Sequence, residues 1–265
     1  MTNGFLVVDK PNGVTSHDVV AKKRKELNTR KIGHAGTLDP MATGVLVLGI
    51  GDGTRLLQYI TAGIKAYDAT VKLGQLTSSD DKESEVIETT EIPADIHGAF
   101  AKQVGKIMQK PSSVSAIRID GKRAYDLVRE GVAVDIPARE VEVFEINVNE
   151  IRGTEVDISV KCSAGTYIRA IARDCGGHLT SLRRTQVGIF DLTMADKLMS
   201  VAEVATKIFS PRQLDMHEAS EMKFGRNIQA SGVAGIVAAI TPQGELAALL
   251  EDKDGMAKPF AVFIK

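Results

Sequence analysis

The sequence predicts an α+β fold, and three observations support this prediction. Runs such as EVEVFEINVNEI and EVDISVKCSAG alternate apolar and polar residues with the period of half-buried strands. Other runs, among them TSHDVVAKKRKEL and GTYIRAIARDCGGHL, place apolar residues at helical spacing. The two kinds of run do not follow the regular rhythm of βαβ units, which favours a mixed sheet over a doubly wound one.

The N-terminal part is predicted to contain a strand and a basic helix. GFLVVDK is a short apolar run that Pro11 ends, and Ser16 is the predicted N-cap of the helix that follows. GHAGTLDPMATG, residues 33–44, has three glycines and a proline and predicts a loop. VLVLGIG then has the length of a buried strand, so the loop is anchored to the core.

The middle of the chain alternates between both kinds of element. LLQYITAGIKAYDATVKLG predicts a helix, a turn at Gly63 and a strand that carries Tyr67, and HGAFAKQVGKIMQ predicts a helix. The two alternating runs are joined by a turn with Gly153, which predicts an antiparallel pair. Helical periodicity follows as far as a break at Gly176 and Gly177.

A change of pattern near Ser210 and Pro211 marks the predicted domain boundary. After it come the short strand-like runs GIVAAITP, ELAALLED and KPFAVFIK, separated by turn residues. A chain of 265 residues with 43% hydrophobic content is long enough for one large and one small domain. We therefore predict a large domain over 1–210 and a small β-rich domain over 211–265.

The composition bears on location and on metal binding. No apolar run of about 18 residues occurs and the N-terminus lacks the order of a signal peptide, so we expect a cytoplasmic protein that does not enter membranes. Cys162 and Cys175 are too few for a disulfide framework and lack the spacing of zinc ligands. We expect both to be structural, in a reducing compartment.

The net charge of −1 conceals an uneven distribution. Residues 22–31 carry six basic side chains and one acidic, whereas residues 80–95 carry seven acidic and one basic. Such segregation lets one face approach phosphates, although the basic segment is equally readable as the solvated face of a helix.

Several common chemistries lack their motifs in this chain. A Walker loop and a GxSxG elbow are missing, and GIGDGT lacks the last glycine of a dinucleotide fingerprint. The five histidines do not pair at metal-ligand spacing. A glycosidase of the usual kind needs two carboxylates, but the loop over 33–44 offers one, Asp39.

Asp39 and Arg169 are the strongest candidates on residue type and context. Pro40 restricts the backbone of Asp39 to extended conformations and so presents its carboxylate, although Asp39 could instead cap an Asx-turn. Arg169 lies where a strand passes into a helix, and there a guanidinium could reach a buried carboxylate and keep it ionised. The alternative is that Arg169 pairs with Asp174 or faces solvent.

Two aromatic side chains have open interpretations. Tyr67, on a predicted strand, is either a core residue or a platform for stacking. His34, in the loop, bonds to backbone or touches a phosphate.

The motifs in their order resemble one family. GHAGTLDPMATGVL is similar to the catalytic motif of the TruB family of bacterial tRNA pseudouridine synthases, and the resemblance covers roughly residues 4 to 190. Other segments agree in the same order: GFLVVDKPNGVTSHDVV, AYDATVKLGQLTSSDD, PSSVSAIRIDGKRAYDLVREG, CSAGTYIRAIARDCG and SLRRTQVG.

The resemblance implies a fold and an activity. The fold would be the pseudouridine synthase fold, a central, mostly antiparallel mixed sheet flanked by helices, with a small β-rich PUA-like domain at the C-terminus. The activity would be isomerisation of uridine 55 in the tRNA T-loop to pseudouridine. This exchange of glycosidic bonds within one nucleotide needs no cofactor and no metal.

The resemblance also assigns residues. Asp39 matches the nucleophilic aspartate, Arg169 the arginine that pairs with it, and Tyr67 the aromatic residue that stacks on the target base. For substrate binding, it implies the following: His34 at the everted nucleotide, Tyr167 and Leu182 at the uracil pocket, and Lys10 of a structural Lys-Pro motif with Pro11. Residues 111–140 match an insertion that closes over the T-loop, and its expected phosphate contacts are Arg118, Lys122, Arg123 and Arg129.

The expected partner is the T-loop and elbow of tRNA, bound by a monomer without guide RNA. Two departures from the family pattern stand out, since Val114 occupies a position that is often aromatic and 211–265 is short for a full PUA domain. Two alternatives stay open at this stage: an RNA-binding or tRNA-folding module without chemistry, and a related synthase that acts on another RNA.

Overall fold

The structure is a computed structural model that describes residues 2–115, 118–119, 122–123, 132 and 134–264. The helices are α1 (Ser16–Glu26), α2 (Leu57–Thr61), α3 (Ile96–Ala101), α4 (Ile168–Asp174), α5 (Val201–Ile208) and α6 (Met216–Lys223), with 3-10 turns at Gly51–Leu56 and Leu192–Met194. The strands are β1 (Gly4–Lys10), β2 (Ile32–His34), β3 (Thr43–Ile50), β4 (Lys65–Leu73), β5 (Gln75–Thr77), β6 (Val86–Thr89), β7 (Gly105–Gln109), β8 (Arg118–Ile119), β9 (Lys122–Arg123), β10 (Arg139–Arg152), β11 (Glu155–Cys162), β12 (Gly177–Val187), β13 (Phe190–Asp191), β14 (Leu198–Met199), β15 (Ser210–Gln213), β16 (Ile228–Gln229), β17 (Val237–Ile240), β18 (Leu246–Lys253) and β19 (Met256–Val262).

A large mixed sheet forms the centre of the molecule. Within the described residues it has ten strands, eight of them in the order β14-β1-β3-β12-β4-β11-β10-β7, with β2 beside β3 and β13 beside β12. Its neighbours pair antiparallel except β3 and β12, which run parallel. The predicted antiparallel pair of β10 and β11 is confirmed, and so is the α+β class.

The loop over residues 33–44, which we call the Asp39 loop, packs against the core of the main sheet. The loop connects β2 to β3, and Leu38 and Met41 within it are buried in the same apolar cluster as Ile168 of α4 and Leu182 of β12. Burying the residues on both sides of Asp39 and Pro40 fixes this segment to the sheet, which confirms the predicted anchoring.

Two local predictions were wrong. Thr15, not Ser16, is the N-cap of α1, because Thr15 and Asp18 form a reciprocal capping box. The predicted helix over HGAFAKQVGKIMQ ends at Ala101, and the chain re-enters the sheet as β7 from Gly105. Gly105 has a φ of +101°, and pairing with β10 replaces the helical pattern.

The C-terminal residues form a second sheet of five strands in the order β15-β17-β18-β19-β16. One face packs on the main sheet, because Ile240 and Leu249 share an apolar cluster with Phe5 and Val7 of β1, and helix α5 contributes Val204 to it. None of the helices in the described ranges has the length and apolar character needed to cross a membrane.

Candidate active site

Asp39 stands at the exposed tip of its loop. The Asp39 side chain is 36% exposed, and its Oδ2 lies 3.0 Å from Nε of Arg169, whose side chain is only 4% exposed. Within the described residues the carboxylate accepts no bond from a loop amide, so the Asx-turn alternative is not supported. Arg169, in the first turn of α4, meets Asp39 as predicted.

The remaining nitrogens of Arg169 are held by other partners. Nη1 donates to the carbonyl oxygen of Ser79 at 2.7 Å and Nη2 to that of Val114 at 2.9 Å. Nη1 also lies 3.6 Å from Oδ2 of Asp81, whose side chain is 5% exposed. This guanidinium therefore has a fixed orientation when it meets Asp39. Asp174 pairs instead with Arg173, so the alternative partner proposed for Arg169 was wrong.

The backbone of the Asp39 loop is bonded on both sides of Asp39. Ser16 Oγ bonds the amide of Leu38 at 2.9 Å, and Lys10 Nζ donates to the carbonyl of Pro40 at 3.2 Å. Arg184 of β12 donates from Nη2 to the carbonyl of Gly36 at 3.0 Å and from Nε to that of Val45 at 2.8 Å. These bonds restrict the loop and hold the Asp39 carboxylate in place.

A cavity of about 330 Å³ opens beside the Asp39 carboxylate. Its charged side chains, within the described ranges, are one carboxylate, Asp39, and four cations: Lys65, Arg139, Arg169 and Arg184. Its remaining lining includes Tyr67, Tyr167 and Leu182. A larger cavity of about 920 Å³ lies between α5 and the C-terminal sheet, but none of the predicted site residues lines it. The smaller cavity is therefore the candidate active site.

The aromatic residues of this cavity are held by their elements. Tyr67, on β4, is 7% exposed, so it is part of the core and part of the cavity wall at once. Tyr167 precedes α4, and its amide and carbonyl are both bonded by the side chain of Gln109 on β7. The Arg139 guanidinium lies 5.3 Å from the centre of the Tyr167 ring, a cation–π distance.

Two buried groups of the cavity have shifted pKa values. Burial lowers the pKa of Lys65 from 10.5 to about 8, and the charge of Arg184 contributes to the shift. Burial raises the pKa of Tyr67, and the charge of Arg184 opposes that shift. Tyr67 therefore stays a neutral phenol at physiological pH, while Lys65 is near its titration range.

Two predicted substrate contacts lie outside the cavity wall. Lys10 is fully buried, and its ammonium donates to three carbonyl oxygens, those of Pro11, Val14 and Pro40. Its placement among the substrate-binding residues was wrong, because no donor or surface is left for a ligand. His34 ends β2 and faces the His17 ring edge-on at 5.6 Å, and burial lowers its pKa.

The expected phosphate contacts lie largely outside the described residues. The backbones of Arg118, Lys122 and Arg123 form the short antiparallel ladder of β8 and β9, but their side chains are not described. Arg129 lies outside the described residues altogether. These four assignments stay predictions.

Sequence reasoning missed Lys65, Arg139 and Arg184. Arg184 lies in the motif SLRRTQVG, and Lys65 lies in LLQYITAGIKAYDATVKLG, which was interpreted only as a helix, a turn and a strand. Nothing in either segment distinguishes a buried cation from an exposed one. Arg139 begins a strand with an alternating pattern, which indicates a half-buried position and no more.

The chain is similar to known proteins of one family. Two family models match the chain: "TruB family pseudouridylate synthase (N terminal domain)" over residues 24–168, and "tRNA Pseudouridine synthase II, C terminal" over residues 209–264. A protein of Corynebacterium glutamicum (strain R) named tRNA pseudouridine synthase B is 48% identical, over 94% of this chain and 92% of its own. A protein of the same name from Arthrobacter sp. (strain FB24) is 47% identical, over 99% of this chain and 97% of its own.

Solved structures share the fold. A chain of an H/ACA ribonucleoprotein bound to a substrate RNA superposes with a TM-score of 0.72 and 23% identity, covering 99% of this chain and 85% of its own. A chain of an archaeal box H/ACA complex gives a TM-score of 0.68 and 23% identity, over 100% and 85%. At this identity the likeness concerns the fold alone.

Proposed function

The chain belongs to the TruB family of pseudouridylate synthases, and on that premise we propose that it isomerises uridine to pseudouridine in tRNA, at uridine 55 of the T-loop. The observation that carries the proposal is the ion pair of Asp39 and Arg169 at the mouth of a cavity lined by Tyr67 and Leu182. Among the residues that the structure describes, the cavity offers a single carboxylate, as expected where the detached base, and not an activated water, reacts with the ribose.

The geometry supports a division of roles at the site. Arg169 holds Oδ2 of Asp39, so the second oxygen of the carboxylate is free to approach the nucleotide. Tyr67 offers a ring for stacking, and Leu182 offers an apolar wall beside it. Because the target base must leave the folded T-loop to enter, stacking offsets the few kcal/mol that flipping costs.

The tRNA is bound through phosphates. Helix α1 and the segment after it carry the basic residues 22–31, and Arg139 adds a cation at the cavity. We expect the insertion over 111–140 to close on the T-loop and elbow. Each phosphate contact releases counterions, so affinity should fall steeply with salt.

The domain division and the assembly belong to the same proposal. The five-stranded sheet begins with β15 at Ser210, which supports a boundary between a catalytic domain over 1–210 and a short PUA-like domain over 211–265. We expect a monomer that acts in the cytoplasm on tRNA without a guide RNA.

Tritium release from tRNA transcripts with 5-tritiated uridine tests the activity. Wild-type protein should release one tritium per T-loop, and a transcript with cytidine at position 55 should release none. Binding without any release would instead favour an RNA-binding module, and release that persisted in the cytidine transcript would contradict uridine 55 as the target.

A further inference from the structure

Two buried cations of the cavity have no carboxylate partner among the described residues. Lys65 is 6% exposed and Arg184 is 1% exposed, and neither forms an ion pair within the described part of the chain. Arg169, by contrast, lies against both Asp39 and Asp81. Burying an unpaired charge is costly, so these two residues need an explanation that Arg169 does not.

Backbone carbonyls orient the two cations without neutralising them. Lys65 Nζ donates to the carbonyls of Thr61 at 2.7 Å and Gly63 at 3.0 Å, and an ammonium has three donors. Arg184 bonds to carbonyls of the Asp39 loop and of β3. The two residues lie on neighbouring strands, with Arg184 opposite Tyr67 and Tyr67 two residues from Lys65. Their positive field therefore acts on the cavity.

The proposed reaction generates the opposite charge in that cavity. When the bond between C1′ and N1 breaks, its electron pair stays with the uracil, which becomes an anion with charge on N1, O2 and O4. A bond from C1′ to C5 then forms, C5 loses its proton and N1 gains one, so atoms and charge balance over the isomerisation. The detached base is thus an anion for part of the cycle.

We propose that the Lys65 ammonium, with the Arg184 guanidinium behind it, stabilises the negative charge that the uracil carries while it is detached from the ribose. The inference rests on the proposed pseudouridine synthase activity. Charges that are already oriented in a site without water do not have to reorganise when negative charge develops on the uracil. They therefore stabilise that charge effectively. Neither residue has a role assigned by the resemblance.

The nearby titratable groups support this role. Lys65 lies opposite Cys162 on β11, and Arg184 on β12 lies opposite Tyr67, two residues along the strand from Lys65. The charge of Arg184 acts on Lys65. Burial raises the pKa of Cys162 to about 11, and it raises that of Tyr67 as well. Near pH 8 Lys65 is therefore the group of this cluster that titrates.

A leaving-group comparison tests the inference. Single-turnover rates are measured for wild type, Lys65→Met and Lys65→Arg on tRNA with uridine or 5-fluorouridine in the T-loop. The loss of the starting nucleoside is followed by nuclease digestion, chromatography and mass spectrometry, because fluorine at C5 replaces the proton that the uridine reaction releases. Fluorine stabilises the uracil anion and makes it less dependent on the protein. Lys65→Met should slow the uridine reaction roughly 10- to 100-fold and the 5-fluorouridine reaction several-fold less, and Lys65→Arg should recover most of the rate.

The pH profile provides a readout that a purely structural role would not change. The wild-type rate should fall as pH rises through about 8, where Lys65 loses its proton. Lys65→Arg should not show this fall, because a guanidinium stays charged. Lys72→Met, on the same strand and outside the cavity, is the matched control and should keep the wild-type rate and profile.

The outcomes separate the two proposals. A wild-type protein without activity on tRNA would contradict the proposed function itself. An active wild type with Lys65→Met within twofold of it, or with the same loss on both nucleosides, would overturn the role of Lys65. If Lys65→Met does not fold, the pH profile of the wild type still tests the role of Lys65. A fall in rate at alkaline pH that is equal for uridine and 5-fluorouridine would contradict that role.

Discussion

The Asp39 cavity and the C-terminal sheet hold their positive charges in opposite ways. In the part of the chain that the structure describes, the cavity has four cations and one carboxylate along its wall. In the C-terminal part, the basic side chains that form ion pairs with neighbouring acids are Arg212 with Glu218, Arg226 with Glu221, Lys253 with Glu251 and Lys258 with Asp254. Over residues 211–264, Lys223 is the basic residue without such a pair in the described structure.

The difference indicates which part of the molecule meets RNA. Paired charges produce little field beyond a few ångströms, so the C-terminal sheet does not attract phosphates strongly. It contributes instead an apolar face, in which Ile240 and Leu249 pack with Phe5 and Val7 of the main sheet. We infer that this part stabilises the main sheet, and that the large domain holds the charge that attracts RNA and drives the reaction.

Removing the one carboxylate of the cavity should have the largest effect. Asp39→Asn keeps the size of the side chain and removes its charge, so tritium release should fall at least about a thousand-fold. Affinity for tRNA, measured by filter binding, should change only a few-fold because the cations remain. Release within tenfold of wild type would refute the nucleophilic role of Asp39.

Arg184→Lys should weaken the loop and the reaction together. The guanidinium bonds Gly36 and Val45 from two different nitrogens, whereas an ammonium offers all its donors from one atom. We therefore expect a loss of roughly 2 kcal/mol in unfolding free energy and roughly a 10- to 100-fold loss of rate. Arg183→Lys is the matched control, because Arg183 is 38% exposed and pairs with Asp9 at the surface. Urea unfolding and tritium release should change little in Arg183→Lys. Equal losses in the two variants would contradict the role of Arg184 in holding the Asp39 loop.

Lys65 should make stability depend on alkaline pH. Its pKa is about 8 in the folded protein against an ordinary value of 10.5. Below pH 8 Lys65 is protonated in both the folded and the unfolded protein, so the folded state bears the full cost of burying the charge. Between pH 8 and 10.5 the unfolded chain binds more protons, so the folded state gains stability with rising pH, by up to roughly 3 kcal/mol.

The comparison with Lys65→Met isolates this contribution. The unfolding free energy of the wild type, relative to that of Lys65→Met, should be higher at pH 10 than at pH 7. The bonds to Thr61 and Gly63 that the variant loses change both values but not this trend. A difference between the two proteins that is independent of pH would mean that Lys65 is not buried as a cation.

The smallest effect is expected in the C-terminal part, at Lys223, the last residue of α6. Lys223→Glu should change tRNA affinity by no more than about twofold and leave its salt dependence unaltered. Lys25→Glu, on the exposed face of α1, should weaken binding several-fold and reduce the slope of log affinity against log salt by about one. Equal effects of the two variants would contradict the division of charge between the two parts.

Much of the site was predictable because it depends on local sequence. Pro40 and the apolar pair Leu38 and Met41 determine how the Asp39 loop is presented, and all three are visible in a stretch of a few residues. Residue type and context indicated only that Arg169 could reach a carboxylate, and the family resemblance implied that this carboxylate is Asp39. The wrong N-cap at Ser16 has a tertiary cause: its hydroxyl bonds to the amide of Leu38, 22 residues away.

The sequence by itself determined most element types and the sheet class, because periodicity and turn residues act over short distances, and the resemblance of its motifs to one family identified Asp39 as the carboxylate. Only the tertiary structure decided which cations are withdrawn from water. Arg184 meets Gly36 across 148 residues, and Lys65 is buried because β4 lies between β12 and β11. The energy of a charge depends on the solvent and dipoles around it, which arise only when distant segments pack together.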